Sequence, residues 1–510
     1  MGGRREHLAA LASASLAPLL WGIAFLPLVA SGVAHLPQVF TDPAIMSALL
    51  FSFEQALIAS IIAISVGIPL GYINATFEYP GRRLVEVITL APFTMPTVSV
   101  ALAFLLIVRS GLLPPGLLAI SLANAYFNFG FCASLVSSSL LSVGKRLEEA
   151  AEVMGASRWM VWRKVIIPLA FRGVSYGFAL TFTLSFTSFA VPLLLGGPGS
   201  RTLEVEIYSL YKIFLDEGRA SAAAILQLIV TMALTFLLTS RGVEARSLEV
   251  RRRRSAKAGV ALLPYALALV SSYPMAYLVI RSLYNPFTGE FNPWVYLRLL
   301  SPAYDPALGV SPLRPLLNSV YYAVMTSLIV LTLSSVLLLS RRAMRLASSL
   351  SILPLGTSSI TLALGLLLLS YRMGIPGWIA IILSHFLIAF PFSLKVLESG
   401  VSGLSPHLMD AAETLGLSRL DTIFRVVLPA AMPAVLSSAF YSLAISLSET
   451  SASTLLATPE TMTLTVAALR YSGARRFQLA SAASVLVMGL TWLFLWVKGR
   501  VESRLRWVRE

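Results

Sequence analysis

Long apolar runs separated by short polar stretches set the pattern of this chain. A helix that crosses a bilayer needs about 20 apolar residues. Twelve runs of that order are legible, near 14–34, 49–74, 85–108, 113–142, 168–195 and 218–240, then 258–281, 315–339, 347–370, 376–403, 429–456 and 477–498. They are continuous rather than alternating, which predicts α-helices and excludes a transmembrane barrel. Six runs lie on either side of a charged stretch, 241–257, that carries Arg246 and Arg251 to Arg254 without apolar periodicity. The expected organisation is a first membrane domain over 1–240, a basic linker over 241–257 and a second membrane domain over 258–510. The fold class is all-α, a polytopic membrane protein of about 12 spans in two tandem six-helix repeats.

Two polar elements interrupt the apolar pattern and repeat each other. EAAEVMGASRWMVWRKVIIP runs from Glu149 to Pro168, and DAAETLGLSRLDTIFRVVLP from Asp410 to Pro429. Gly416 stands 261 residues after Gly155, and Pro429 stands 261 after Pro168. In the first copy Glu149, Ala150, Ala151 and Glu152 open a helix with acids and small residues. Asp410, Ala411, Ala412 and Glu413 do so in the second. Acids suit the positive end of a helix, and small side chains let another surface come close. Gly155 and Gly416 then stop that helix, because glycine accepts a left-handed terminus. Ser157 and Ser418 are placed to cap a second helix, with Asp421 reinforcing the cap in the second copy. Pro168 and Pro429 start the next span, where a missing N–H costs little. A surface amphipathic helix without a partner would also read this way, but two copies at equal spacing argue for a shared function. The repeat extends further: Pro92 answers Pro354, and Asn124 answers His385.

Composition sharpens the class. The chain is 57% hydrophobic and 12% charged, with a mean hydropathy of +0.80, whereas soluble proteins carry about 25% charged residues. The net charge is +15. The basic residues sit in short stretches beside spans, as the positive-inside rule describes, and so report topology and lipid contact, not nucleic acid. Arg4, Arg5, Arg82, Arg83, Lys145 to Lys164, the linker, Arg341, Arg342, Arg345, Arg419, Arg425 and the tail from Lys498 share one side if the spans alternate. Both termini and both polar twins are therefore expected in the cytoplasm of a multi-pass cell-membrane protein. The first apolar run exceeds a signal peptide's core and reads as an uncleaved span. Cys132 is alone, so neither an internal disulfide nor a cysteine metal cluster is expected. The opposite side holds a Pro-, Asn- and aromatic-rich loop over about 282–313, read either as a binding surface or as a lid on the helix ends.

The twins resemble the signature loop of permease subunits of binding-protein-dependent ABC importers. The matching positions are Glu149, Ala150, Ala151, Gly155, Val165, Ile167 and Pro168, then Ala411, Ala412, Gly416, Val426, Leu428 and Pro429. Asp410 departs from the pattern, keeping the charge on a shorter side chain. The likeness covers nearly the whole chain, which looks like the fused permeases of ferric-iron and thiamine uptake. It implies a type I importer permease fold in which both loops are coupling helices, each seated on one of two separate ATP-binding cassette subunits, and an external substrate-binding protein that delivers cargo. No Gly-x-x-x-x-Gly-Lys-Ser/Thr motif occurs in the chain. No enzyme activity and no cofactor are therefore expected on it. The alternatives are a 6+6 secondary transporter driven by an ion gradient and a membrane-embedded enzyme.

Polar residues inside spans are functional hypotheses by default. Glu54 and Glu449 either face the pore and favour a cationic cargo, or lie near span ends against loop arginines and water. The first-half counterpart of Glu449 is Ser188. Asn124, Asn128 and His385 lie deeper and join Glu54 and Glu449 as candidates for the translocation path, with a satisfied packing residue as the alternative reading of His385. No metal site is expected.

Overall fold

The computed structural model describes residues 2–142, 150–151, 153–161, 163–164, 167–197, 199–240, 254–255, 258–285, 289–338, 340–401, 412, 414–415, 417 and 419–506. The first half runs α1 (Gly2–Gly32), α2 (Pro43–Thr76), α3 (Arg82–Leu90), α4 (Thr97–Arg109), α5 (Leu117–Ser142), α6 (Ile167–Phe186), α7 (Ala190–Leu195), α8 (Leu203–Lys212) and α9 (Glu217–Ser240). The second half repeats that order as α10 (Leu262–Leu283), then, after a short loop helix α11 (Val295–Leu299), α12 (Leu313–Leu337), α13 (Arg341–Leu350), α14 (Ser359–Met373), α15 (Gly377–Val401), α16 (Leu428–Ser448), α17 (Ser451–Leu456), α18 (Leu464–Gly473) and α19 (Phe477–Arg506).

Among the described residues, nine helices are long and apolar enough to cross a membrane, and two bent pairs bring the number to eleven. The shorter apolar helix Gly173–Phe186 stands where the sequence expects the fifth span. Four of the twelve expected spans are not straight rods. The third bends by 97° between α3 and α4, and the ninth by 93° before α14. In the third, Met95 and Pro96 are extended at the bend, since proline cannot continue a helix and disfavours the α conformation before it. In the ninth, the Ser358 hydroxyl accepts from the Thr361 N–H and starts α14 anew. The fifth and eleventh spans, expected as continuous over 168–195 and 429–456, break before α7 and α17 respectively.

Each half has a three-helix core: α2, α5 and α6 in the first, α12, α15 and α16 in the second. The first helix of each half leaves its own core. α1 packs on α13 and α14 of the second half, and α10 packs on α3 and α4 of the first. The exchange is close. A Cβ placed on Gly365 of α14 would stand 2.6 Å from the Ala24 carbonyl of α1, so only glycine lets those backbones meet. Two seams join the halves. In one, α14 lies against α8 and α9; in the other, α4 lies against α18 and α19.

The duplication reaches single hydrogen bonds. Helices α8 and α18 begin inside the protein, so their first N–H groups need partners. Thr202 and Thr463 at the caps supply none. Instead Ser52 of α2 accepts from the Leu203 N–H at 2.8 Å, and Ser319 of α12 accepts from the Leu464 N–H at 2.7 Å.

Candidate functional site

The polar twins occupy one end of the bundle, the end where α2, α5 and α15 finish. In the first copy the Met154 N–H donates to the Ala150 carbonyl, and the Ala156 N–H donates back to the Ala151 carbonyl at 3.0 Å. Gly155, at φ +83°, makes that reversal. The Ser157 hydroxyl then accepts from the Met160 N–H at 3.3 Å and caps the helix Arg158–Val161. The expected stop and restart are therefore both present. In the second copy the Leu417 N–H donates to the Ala412 carbonyl at 3.2 Å, the same reversal, and the helix Arg419–Thr422 follows. Pro429 sits in the first turn of α16, and Pro168 is the second residue of α6. Glu149, Glu152, Asp410, Ala411, Glu413, Gly416 and Ser418 lie outside the described residues.

Ala151 and Ala412 face inward, and the bulky residues just before the glycines face out. Ala151 and Val161 are buried in a cluster with Ala75, Val136 and Leu140, which seats the loop on the ends of α2 and α5. Ala412 is likewise buried. Ala150 is exposed. On the outer side, Met154 is 81% exposed and its counterpart Leu415 is 82% exposed. Val153, Trp159, Met160 and Phe424 are exposed with them. Sequence reading missed this apolar surface, because the glycine stop decides which side the flanking residues present. The only signal was the apolar pair Met154/Leu415 immediately before each glycine.

The intramembrane candidates divide. Asn124 donates to Gln55, which donates in turn to the Ser185 carbonyl at 2.6 Å, and Asn128 donates to the Asn124 carbonyl. All three side chains are buried. The second half answers with His385, 1% exposed, whose ring nitrogens lie 2.7 Å from the Ser446 hydroxyl and 2.8 Å from the Ser453 hydroxyl. Both clusters tie the central helices together, and the two hydroxyls occupy both ring nitrogens of His385. Glu54 is exposed on α2, one residue from Gln55 but on another face. Glu449 lies at the break between α16 and α17, where its carboxylate accepts from the Ala452 N–H at 2.8 Å. It caps a helix rather than meeting loop arginines. A further carboxylate escaped notice as a candidate. Glu204 of α8 is fully buried, accepts from Gln227 at 2.7 Å, and leaves its second oxygen without a partner. Gln227 also faces Thr361 of α14 at 3.5 Å, so this polar cluster sits in a seam between the halves.

Among the described residues, no group of three or more His, Cys, Asp or Glu side chains is arranged to hold a metal ion.

Comparison with known proteins agrees with the duplicated architecture. The model of the family described as "binding-protein-dependent transport system inner membrane component" matches twice, over residues 64–245 and 329–507. The thiamine transport system permease protein ThiP of Escherichia coli (strain K12) is 23% identical over 501 residues, which covers 91% of this chain and 91% of that protein. The sulfate transport system permease protein CysT of the same organism is 28% identical over 221 residues, covering 41% of this chain and 80% of that protein. The molybdate/tungstate transport system permease protein WtpB of Thermococcus kodakarensis is 26% identical, covering 42% of this chain and 86% of that protein. With two copies of the domain in one polypeptide and the helices of a type I importer permease around it, the chain belongs to the binding-protein-dependent transport system inner membrane component family.

Proposed function

We propose that the chain supplies two permease halves of an ATP-driven importer, and that its twin loops receive the ATPase motion. Glu149–Pro168 and Asp410–Pro429 serve as the two coupling elements, one for each of two separate ATP-binding cassette subunits. The observation that carries this reading is the matched pair Met154 and Leu415, each more than 80% exposed beside the same backbone reversal. An apolar side chain that far out of its own protein fits a groove on another. The buried alanines beneath would transmit the push to α2 and α5, and closure of the ATPases would tilt one half against the other. An external binding protein would deliver cargo at the opposite end, and both termini would lie in the cytoplasm.

For the cargo we favour thiamine or ferric iron. The support for thiamine is that the relative aligning end to end with this fused chain is a thiamine permease. The relatives named for sulfate and molybdate align over roughly half of it. With Asn124, Asn128 and His385 engaged in packing, Glu54 and Glu449 remain as the carboxylates that would suit a cation.

The test is uptake into proteoliposomes carrying the chain, its ATPase and its binding protein. Accumulation of thiamine or ferric iron that requires ATP and both partners is the expected result. Sulfate or molybdate uptake in place of either would overturn the cargo. Uptake by the chain alone, driven by an ion gradient, would overturn the coupling.

A further inference from the structure

At the end of the bundle opposite the twin loops, a cavity of about 360 Å³ opens between the last turn of α10, the loop that follows it and the start of α19. That volume falls in the range of small-molecule sites. Its walls carry four arginines: Arg281, Arg298, Arg475 and Arg476. Arg476 has a carboxylate partner, Asp305, at 2.8 and 3.0 Å. Among the described residues no acid pairs with Arg281, Arg298 or Arg475. Arg281 Nε is buried without a hydrogen-bond partner. Arg475 holds φ +60°, a conformation that side-chain-bearing residues seldom adopt. The first turn of α19, whose Phe477, Gln478 and Leu479 line the same cavity, adds the positive end of a long helix.

The first half shows what compensation looks like at this place. Its turn between α8 and α9 also contains a left-handed residue, Leu215 at φ +56°. There the arginine is Arg219, and it is paired with both Asp42 and Asp216. In the second half the left-handed residue is itself an arginine, Arg475, and the position that follows it, Asp216 in the first half, is Arg476. Clustered guanidiniums without counter-charge repel one another unless an anion joins them, and their planar forks fit phosphate oxygens.

The surroundings of the cavity indicate where the anion comes from. α10 is a peripheral helix, and Leu262, Leu269, Val270, Tyr273 and Ile280 form an exposed apolar stripe along it. The stripe ends at Arg281. Beside the mouth, Phe291, Trp294 and Leu297 are exposed, with Trp294 at 70%. Exposed aromatics next to arginines at a helix end mark the headgroup level of a bilayer. We propose that this pocket binds the phosphate of an anionic phospholipid, whose acyl chains lie along the exposed stripe of α10. The site is independent of cargo and of the ATPase loops.

The experiment compares lipid retention by the purified chain after extraction from nanodiscs of phosphatidylcholine alone and of phosphatidylcholine mixed with phosphatidylglycerol, read by mass spectrometry. Wild type is expected to retain phosphatidylglycerol in preference. Arg298→Gln with Arg475→Asn is expected to weaken that retention about fivefold per arginine removed. Both side chains are exposed and asparagine tolerates the left-handed conformation, so the fold survives. Arg298→Gln alone gives the same comparison if it does not. Arg83→Gln, at the other end of the bundle, is expected to change nothing. Equal retention in wild type and the double variant overturns the proposal. So does displacement of the bound species by inorganic phosphate with no lipid preference, which would make the ligand a free anion. Unchanged lipid with reduced capture of the binding protein would also overturn it, by giving the arginines to an acidic protein surface.

Discussion

In the proposed function, Met154 and Leu415 are the residues on which coupling to an ATPase would turn. Each is an apolar side chain held in water by the backbone reversal behind it, and a buried partner surface would remove that cost. Replacing either with aspartate should lower ATP-dependent uptake by roughly 30-fold, the effect of losing about 2 kcal/mol at an interface anchor. Membrane insertion and melting temperature should stay unchanged, because neither side chain packs within the chain. Co-purification of the ATPase subunit is the direct readout, and full retention by both variants would remove the docking role. Gly155→Ala acts differently. Nothing lies within 4 Å of the added methyl, so the cost is the left-handed backbone alone, about 1 kcal/mol. ATPase turnover should persist while uptake per ATP falls, measured as the ratio of the two rates. The stop at Gly155 and the cap at Ser157 were legible in the sequence because they depend on neighbours a few residues away. Glu204 was not, since nothing in LEVEIY, where Glu206 follows two residues on, shows which acid faces Gln227 and the opposite half.

At the scale of elements, α8 and α18 are short helices begun in the interior, and they survive there because a serine from another helix meets the first amide. Ser52→Ala or Ser319→Ala leaves that N–H buried without a partner, which should cost about 1–3 kcal/mol each. Thermal unfolding in detergent should show similar drops for the two variants, since the bonds are near-copies at 2.8 and 2.7 Å. A stable Ser319→Ala would show that water reaches the amide. These bonds lie beyond sequence reading, because serine in a membrane helix commonly bonds its own preceding turn. The breaks before α7 and α17 were also hidden. A hydropathy window averages across a two- or three-residue interruption flanked by apolar helix, so 168–195 and 429–456 read as single spans. Only Glu449 hinted at one of them, as the acid that starts α17.

For the whole molecule, the exchange of α1 and α10 between halves is the feature that makes one body of two repeats. The tandem order and the two polar loops were evident from spacing alone, but spacing gives spans, not neighbours. Gly365→Leu tests the exchange. A side chain there would strike the Ala24 carbonyl, and overpacking of this kind costs about 1–3 kcal/mol. Loss of the folded chain in size-exclusion chromatography, restored by no substitution within the second half, is the expected outcome. A second check is to cut the chain within 241–257 and express the pieces together. They should co-purify, and the second piece alone should aggregate, because α13 and α14 would expose the surface that α1 covers.

Threading one repeat's leading helix into the other has a consequence for biosynthesis. Ala24 leaves the ribosome 341 residues before Gly365, an interval of roughly 20 to 70 s at ordinary elongation rates. During that interval α1 has only lipid and its own half for company, and its contact face toward α14 stays open. The N-terminal half must therefore wait in the bilayer with that face unsatisfied, and docking cannot begin until α14 has been made. A nascent chain stalled before α14 should accordingly leave position 24 open to lipid-phase labelling, and the finished protein should close it.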